Sequence, residues 1–206
     1  MKNLPFDTVD LSADDVQALE DTYKSLKANF NIEVADSNNH INKFELFNNA
    51  QEASLSAAFL INAPSTDCYL NFVKIRYQLN NGRTQLDYLK CQAWAFVNLK
   101  ADFGRVLIRK ETLTDKVLEL IHHTELKFSD DKVFSDSFYV SANDTPEAIA
   151  GLTMEFRDVI KNNMYANFVV EINKNILVVR NNQPIDPEQT IQLAEFASKI
   201  AALKQS

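Results

Sequence analysis

The stretch that decides the fold is Tyr69–Leu79 (YLNFVKIRYQL), then Asn80-Asn81-Gly82, then Arg83–Leu99 (RTQLDYLKCQAWAFVNL). Two long runs rich in β-branched and aromatic residues flank a turn signal, which reads as a hairpin. A three-residue hairpin loop commonly places glycine in the left-handed region, and Gly82 fits that position. Pairing Leu79 with Arg83 then sets Val73 opposite Leu89, Asn71 opposite Cys91 and Tyr69 opposite Ala93. In this register Tyr69, Val73, Ile75, Tyr77, Leu89, Ala93, Ala95, Val97 and Leu99 share a core face. The other face carries Lys74, Arg76, Gln78, Tyr88, Lys90, Gln92, Trp94 and Phe96. Cys68 and Cys91 fall on opposite faces and are expected to be free thiols.

Outward from this hairpin, the chain from Lys43 to Arg109 is strand-like. A second strand group covers Val106 to Arg109, Glu125 to Phe128 and Phe138 to Ala142, with a short helix expected over about Thr114 to His122. Another hairpin pairs Asn167–Asn173 with Ile176–Asn181 around Lys174-Asn175. Helices flank these strands. Residues 12–30 carry Val16, Leu19, Tyr23, Leu26 and Phe30 at helical spacing behind a Ser12 cap, with Asp14 and Asp15 in the first turn. Thr145–Asn162 starts at the capping pair Asp144 and Glu147 with Pro146 in its first turn. The last helix opens at Asp186-Pro187-Glu188-Gln189. Strands and helices do not alternate regularly. The expected class is therefore α+β, a mainly antiparallel sheet built from hairpins with about four helices packed on one face. Residues 1–206 read as one domain, residues 1–40 forming an N-terminal helical extension.

Composition narrows the function classes. The chain has 206 residues, 46% hydrophobic and 24% charged, which is ordinary for a globular protein. Its 3 glycines, Gly82, Gly104 and Gly151, stand apart. A phosphate-cradling loop or a dinucleotide fingerprint needs clustered glycines, so those classes are disfavoured. A formal charge of −7 offers no basic surface for nucleic acid. The start Met-Lys-Asn-Leu-Pro-Phe-Asp has no secretory apolar run, and nothing reaches the ~18 apolar residues of a membrane span. A cytoplasmic protein without a membrane segment is expected.

Candidate chemistry is sparse. His122 and His123 are adjacent, so on a regular helix they point about 100° apart and cannot converge on one metal. At a helix C-terminus they serve as capping cations. Cys91 sits among apolar residues and Cys68 has no basic neighbour, so neither makes an activated nucleophile. Asp130-Asp131 and Asp14-Asp15 read as solvated turn and helix-start residues, and a calcium loop's spacing is absent. No cofactor and no metal site is expected. What stands out is the sheet face with Tyr88, Trp94 and Phe96 interleaved with Arg76 and Lys90. Aromatics with cations serve single-strand nucleic-acid platforms, half-covered sheet faces and protein hot spots alike. The leading reading is a binding or protein-interaction module without catalytic machinery, its partner another protein or a second copy. The alternative is a small-molecule enzyme using scattered carboxylates with His122 or His123.

The segment Phe134-Ser-Asp-Ser-Phe138-Tyr-Val140-Ser-Ala-Asn-Asp144, followed by Glu147-Ala148 and Leu152, resembles a pattern in an uncharacterised bacterial domain-of-unknown-function family. The hairpin Asn167-Phe-Val-Val-Glu-Ile172 with Asn175-Ile-Leu-Val-Val179 and the upstream Gly104-Arg-Val-Leu-Ile108 extend the resemblance over about the last 110 residues. It implies a bacterial protein of shared α+β architecture. It carries over no catalytic residue.

Overall fold

A computed structural model describes residues 5–35, 52–62, 68–80, 85–110, 124–163, 168–181 and 183–203. Ser12 caps α1 (Ala13–Asn29): its side chain accepts from the Asp15 N–H, and the Asp15 carboxylate reaches back to Ser12. The strands that follow are β1 (Ile32–Val34), β2 (Glu52–Ile61), β3 (Cys68–Asn80), β4 (Gln85–Asn98), β5 (Arg105–Lys110) and β6 (Thr124–Glu125). Then come α2 (Lys132–Ser137), β7 (Phe138–Ala142), α3 (Thr145–Gly151), α4 (Met154–Asn163), β8 (Phe168–Asn173), β9 (Ile176–Asn181) and α5 (Pro187–Ala202). The nine strands of the described residues form one sheet in the order β1-β2-β3-β4-β9-β8-β5-β7-β6. Every pairing is antiparallel. The fold is α+β. No described helix is long and apolar enough to cross a membrane.

The register of the central hairpin differs from the expected one. Asn80 pairs with Gln85, Val73 with Gln92 and Lys74 with Cys91, three positions from the pairing that a three-residue loop would set. A shift by an odd number turns one strand over relative to the other. Leu70 and Phe72 therefore join Cys91, Ala93, Ala95 and Val97 on the face that the helices cover. Val73, Ile75, Trp94 and Phe96 share the second face. The alternation of β3 could not decide this, because both of its faces are apolar. Cys68 and Cys91 consequently share one face. They stand six positions apart along the ladder, about 20 Å, and both remain free. The turn at Asn81-Gly82 lies outside the described residues.

The first face is the main core. Leu19 and Leu26 of α1, Phe134 of α2, Ala148 of α3, Phe156 and Ile160 of α4 and Leu193, Phe196 and Ile200 of α5 all bury against it. Thus α1 is packed into the same core as the rest, with Phe6 from the segment before it touching Tyr23, Phe59 and Phe72 edge-on. Two further corrections concern helices. The helix expected over Thr145–Asn162 is broken into α3 and α4. The Thr153 hydroxyl accepts from the Phe156 N–H to start α4, while the Phe103 ring lies against Gly151, where a β-carbon would not fit. Asp131, read as a solvated turn residue, is buried and caps α2 through the Phe134 N–H. The helix expected over Thr114–His122 lies outside the described residues.

Candidate functional site

Of the five residues singled out as an interaction face, the register brings four together. Tyr88, Lys90, Trp94 and Phe96 project from β4 on the second face, beside Tyr69, Val73, Ile75 and Tyr77 of β3. Arg76 pairs with Leu89 and projects from the first face, where Asp10 lies 3.8 Å from it. Lys74 is likewise on the first face. It is buried and ion-paired to Asp7 at 2.6 Å. Beside Trp94 and Phe96, β9 contributes Ile176, Val178 and Arg180, its residues directly opposite Asn98, Phe96 and Trp94.

This face is not a bare aromatic surface. Trp94 is 0% exposed and Phe96 7%, so the tryptophan expected to mark an exposed hot spot lies beneath other groups. The Arg180 guanidinium sits over its ring, 5.2 Å from the centroid, and the Trp94 indole N–H donates to Gln92 Oε1 at 3.2 Å. Tyr77 and Tyr88, half-buried, stack at 5.3 Å between centroids, and Lys90 lies over Tyr88 at 5.3 Å. Farther across the sheet Arg109 lies over Tyr139 at 4.9 Å. Arg109 pairs with both Tyr139 and Val169, and Val169 pairs with Arg180, so these residues share the face of Trp94. Three cations are thus each laid on an aromatic ring along one side of the sheet. Sequence reasoning found the β4 part of this row but missed Arg180, Arg109 and Tyr139. Pairing β9, β8, β5 and β7 into the same sheet aligns them, and no local pattern announces that order.

The electrostatics follow from burial. Desolvation pushes the Arg180 pKa down from its ordinary value, while the neighbouring Tyr77 and the buried Glu171 oppose the shift. The Arg180 Nε is buried with no hydrogen-bond acceptor. Burial pushes the Tyr77 phenol upward.

The catalytic alternative finds little support among the described residues. His122 and His123 lie outside them. Burial raises the Cys68 thiol to about 12, and burial with the nearby Asp15 charge raises Cys91 to about 12. Such thiols stay protonated and unreactive. No three described His, Cys, Asp or Glu side chains stand together to hold a metal ion. A cleft lies where β9 runs into α5, lined by residues including Ala93, Asn181, Asp186, Gln189 and Leu193, and its enclosed space of about 10 Å³ holds little more than one water molecule. That is far below the ~300–1,000 Å³ of a typical small-molecule site. Its one carboxylate, Asp186, is committed to capping α5 through the Gln189 N–H.

The sequence matches no protein-family model and no curated protein. In three dimensions the chain is similar to the crystal structure of the mycobacterial trehalose monomycolate transport factor A, TtfA. The match has a TM-score of 0.54 at 8% identity and covers 89% of this chain and 92% of that one. The two share a fold.

Proposed function

We propose that the protein is a non-catalytic binding module of the cytoplasm that engages another protein through the second face of its sheet. The observation that carries this reading is the row of ring-borne cations, Lys90 on Tyr88, Arg180 on Trp94 and Arg109 on Tyr139, on the side opposite the described helices. Aromatic and arginine side chains dominate interface hot spots because they combine large apolar area with fixed, directional polarity. A cation already resting on a ring is pre-ordered, so it loses little freedom when a partner's carboxylate meets it. The similar structure is named as that of a transport factor, which agrees with a binding role by analogy of fold alone.

The test is a native mass spectrum of the protein isolated from its own cell, beside a Tyr88→Ala, Lys90→Ala double variant. A protein partner retained by the wild type and lost by a variant with unchanged circular dichroism is the expected result. A partner held equally by both chains overturns the assignment of the face. A retained small molecule in place of a protein overturns the choice of partner.

A further inference from the structure

The segment ahead of α1 lies on the first face in the manner of a bound peptide. Its Phe6 ring meets Tyr23, Phe59 and Phe72 at 5.9, 5.6 and 5.2 Å between centroids and is buried among them. Beside the next residue β2 is bulged. Leu55 pairs with Val73 and Ala57 with Phe72, which leaves Ser56 as an extra residue outside the ladder. Ser56 turns both its polar groups to Asp7: its carbonyl accepts the Asp7 N–H at 2.8 Å, and its hydroxyl donates to the Asp7 carbonyl at 2.8 Å. The Lys74 ammonium donates to the Asp7 carboxylate at 2.6 Å and to the Val9 carbonyl at 3.3 Å. The chain then turns at Asp10, in the left-handed region at φ 68°, before α1 begins.

These contacts form a cradle that reads two adjacent residues, an aromatic ring and an aspartate, together with the backbone that joins them. Lys74 is 6% exposed, and both of its hydrogen bonds among the described residues go to this segment. A buried ion pair is a poor device for stability alone, because apolar side chains of similar volume hold two elements together as well or better. Its gain is discrimination: a segment without the carboxylate leaves the buried ammonium unpaired. The Asp7 side chain is half exposed, and the bonds to Ser56 lie outside the ladder, so the segment can leave without breaking a strand pairing. We propose that this cradle docks an aromatic–aspartate segment of another protein, with the chain's own Phe6-Asp7 as the resident occupant that such a partner displaces. The resident defines the partner's chemistry, since a displacing chain must supply the same ring, carboxylate and backbone groups.

The experiment titrates the full chain with a fluorescently labelled peptide of residues 5–11 (PFDTVDL), and with the same peptide carrying asparagine in place of its first aspartate, following anisotropy. The receptors are the wild type and a Phe6→Ala, Asp7→Ala variant, whose own segment no longer fills the cradle. Saturable binding to the variant is expected, with the wild type about tenfold weaker or more, because its tethered segment competes. The asparagine peptide should bind the variant about tenfold more weakly, since it leaves Lys74 without its counter-charge. Should the variant's NMR spectrum show a lost fold, Asp7→Ala alone, which keeps the Phe6 ring, serves as the receptor with the same order of affinities expected. A folded variant that binds neither peptide, equal binding by wild type and variant, or equal binding of the two peptides overturns the proposal. Sedimentation of the wild type as a dimer that the variant abolishes would assign the cradle to the segment of a second copy and overturn the choice of partner equally.

Discussion

The two faces of this sheet bury aromatic side chains by different means. On the first face Phe59 and Phe72 are closed off by helices whose own apolar residues, Phe156 and Phe196 among them, complete the core. On the second face Trp94 and Phe96 lie in a separate cluster built from strand residues alone, among those described, and a guanidinium rests on the Trp94 ring. Helix-on-sheet packing excludes water permanently and is a device of stability. A guanidinium on a ring leaves donors that can still be used, and is compatible with a partner. The contrast teaches that residue burial alone does not separate core from site.

The largest effect expected is on the first face. Phe196→Ala removes a fully buried ring at the centre of α5 and should cost about 3–5 kcal/mol in urea unfolding. Arg157→Ala comes next, about 1.5–3 kcal/mol, because it removes a buried guanidinium that bonds Asp130, Asp131 and the Leu152 carbonyl, leaving Asp131 to Lys161 and the Phe134 N–H. Burial by itself would push Asp131 upward. Hydrogen bonds from Lys161 and the Phe134 N–H, the Lys161 charge and Arg157 outweigh it and hold the carboxyl below 3.8. A depressed folded value stabilises above the unfolded value and is lost as pH falls through the folded one. Wild-type stability should therefore decline as pH drops below about 4, and in Asp131→Asn this part of the decline should vanish. An unchanged acid limb in that variant would show the cluster to be passive.

A smaller effect sharpens the helical side further. Gly151→Ala places a β-carbon against the Phe103 ring, whose side chain is fully buried and has little room to retreat. Overpacking of this kind costs about 1–3 kcal/mol, measurable as a lower midpoint in urea without a change of slope. The α3–α4 break explains why this glycine was opaque in the sequence: the stripe of Ile149, Leu152, Phe156 and Ile160 reads as one helix. The stop depends on Phe103, which arrives from the β4–β5 connection. Elements that carry their own boundary were legible, as Ser12, Asp144 and Asp186 cap α1, α3 and α5 where the spacing places them. So was the Lys174-Asn175 turn, with Asn173 paired to Ile176. The register of β3 with β4 was not. Both strands are apolar on both faces, so either pairing fills a core, and only the tertiary arrangement of α5 over Ala93, Ala95 and Val97 selects one. The candidate site inherited that uncertainty directly: the same flip moved Arg76 and Lys74 off the face and brought Tyr77 onto it.

The smallest effect tests the comparison most closely. Tyr88 stacks on Tyr77 and carries Lys90, and it is half-buried. Tyr88→Ala should cost only about 0.5–1.5 kcal/mol, the worth of one aromatic pair. The chain's single tryptophan provides a local reporter, since Trp94 lies on the same face. If the second face is a site and not a second core, the variant should keep its global urea midpoint nearly intact while Trp94 emission becomes more accessible to an added quencher. Iodide should quench faster than caesium, because an anion is drawn to Lys90 and Arg180. A loss as large as that of Phe196→Ala would mean that the second face holds the fold together. Quenching by caesium as readily as by iodide would mean that the cations on its rings present no field to a partner.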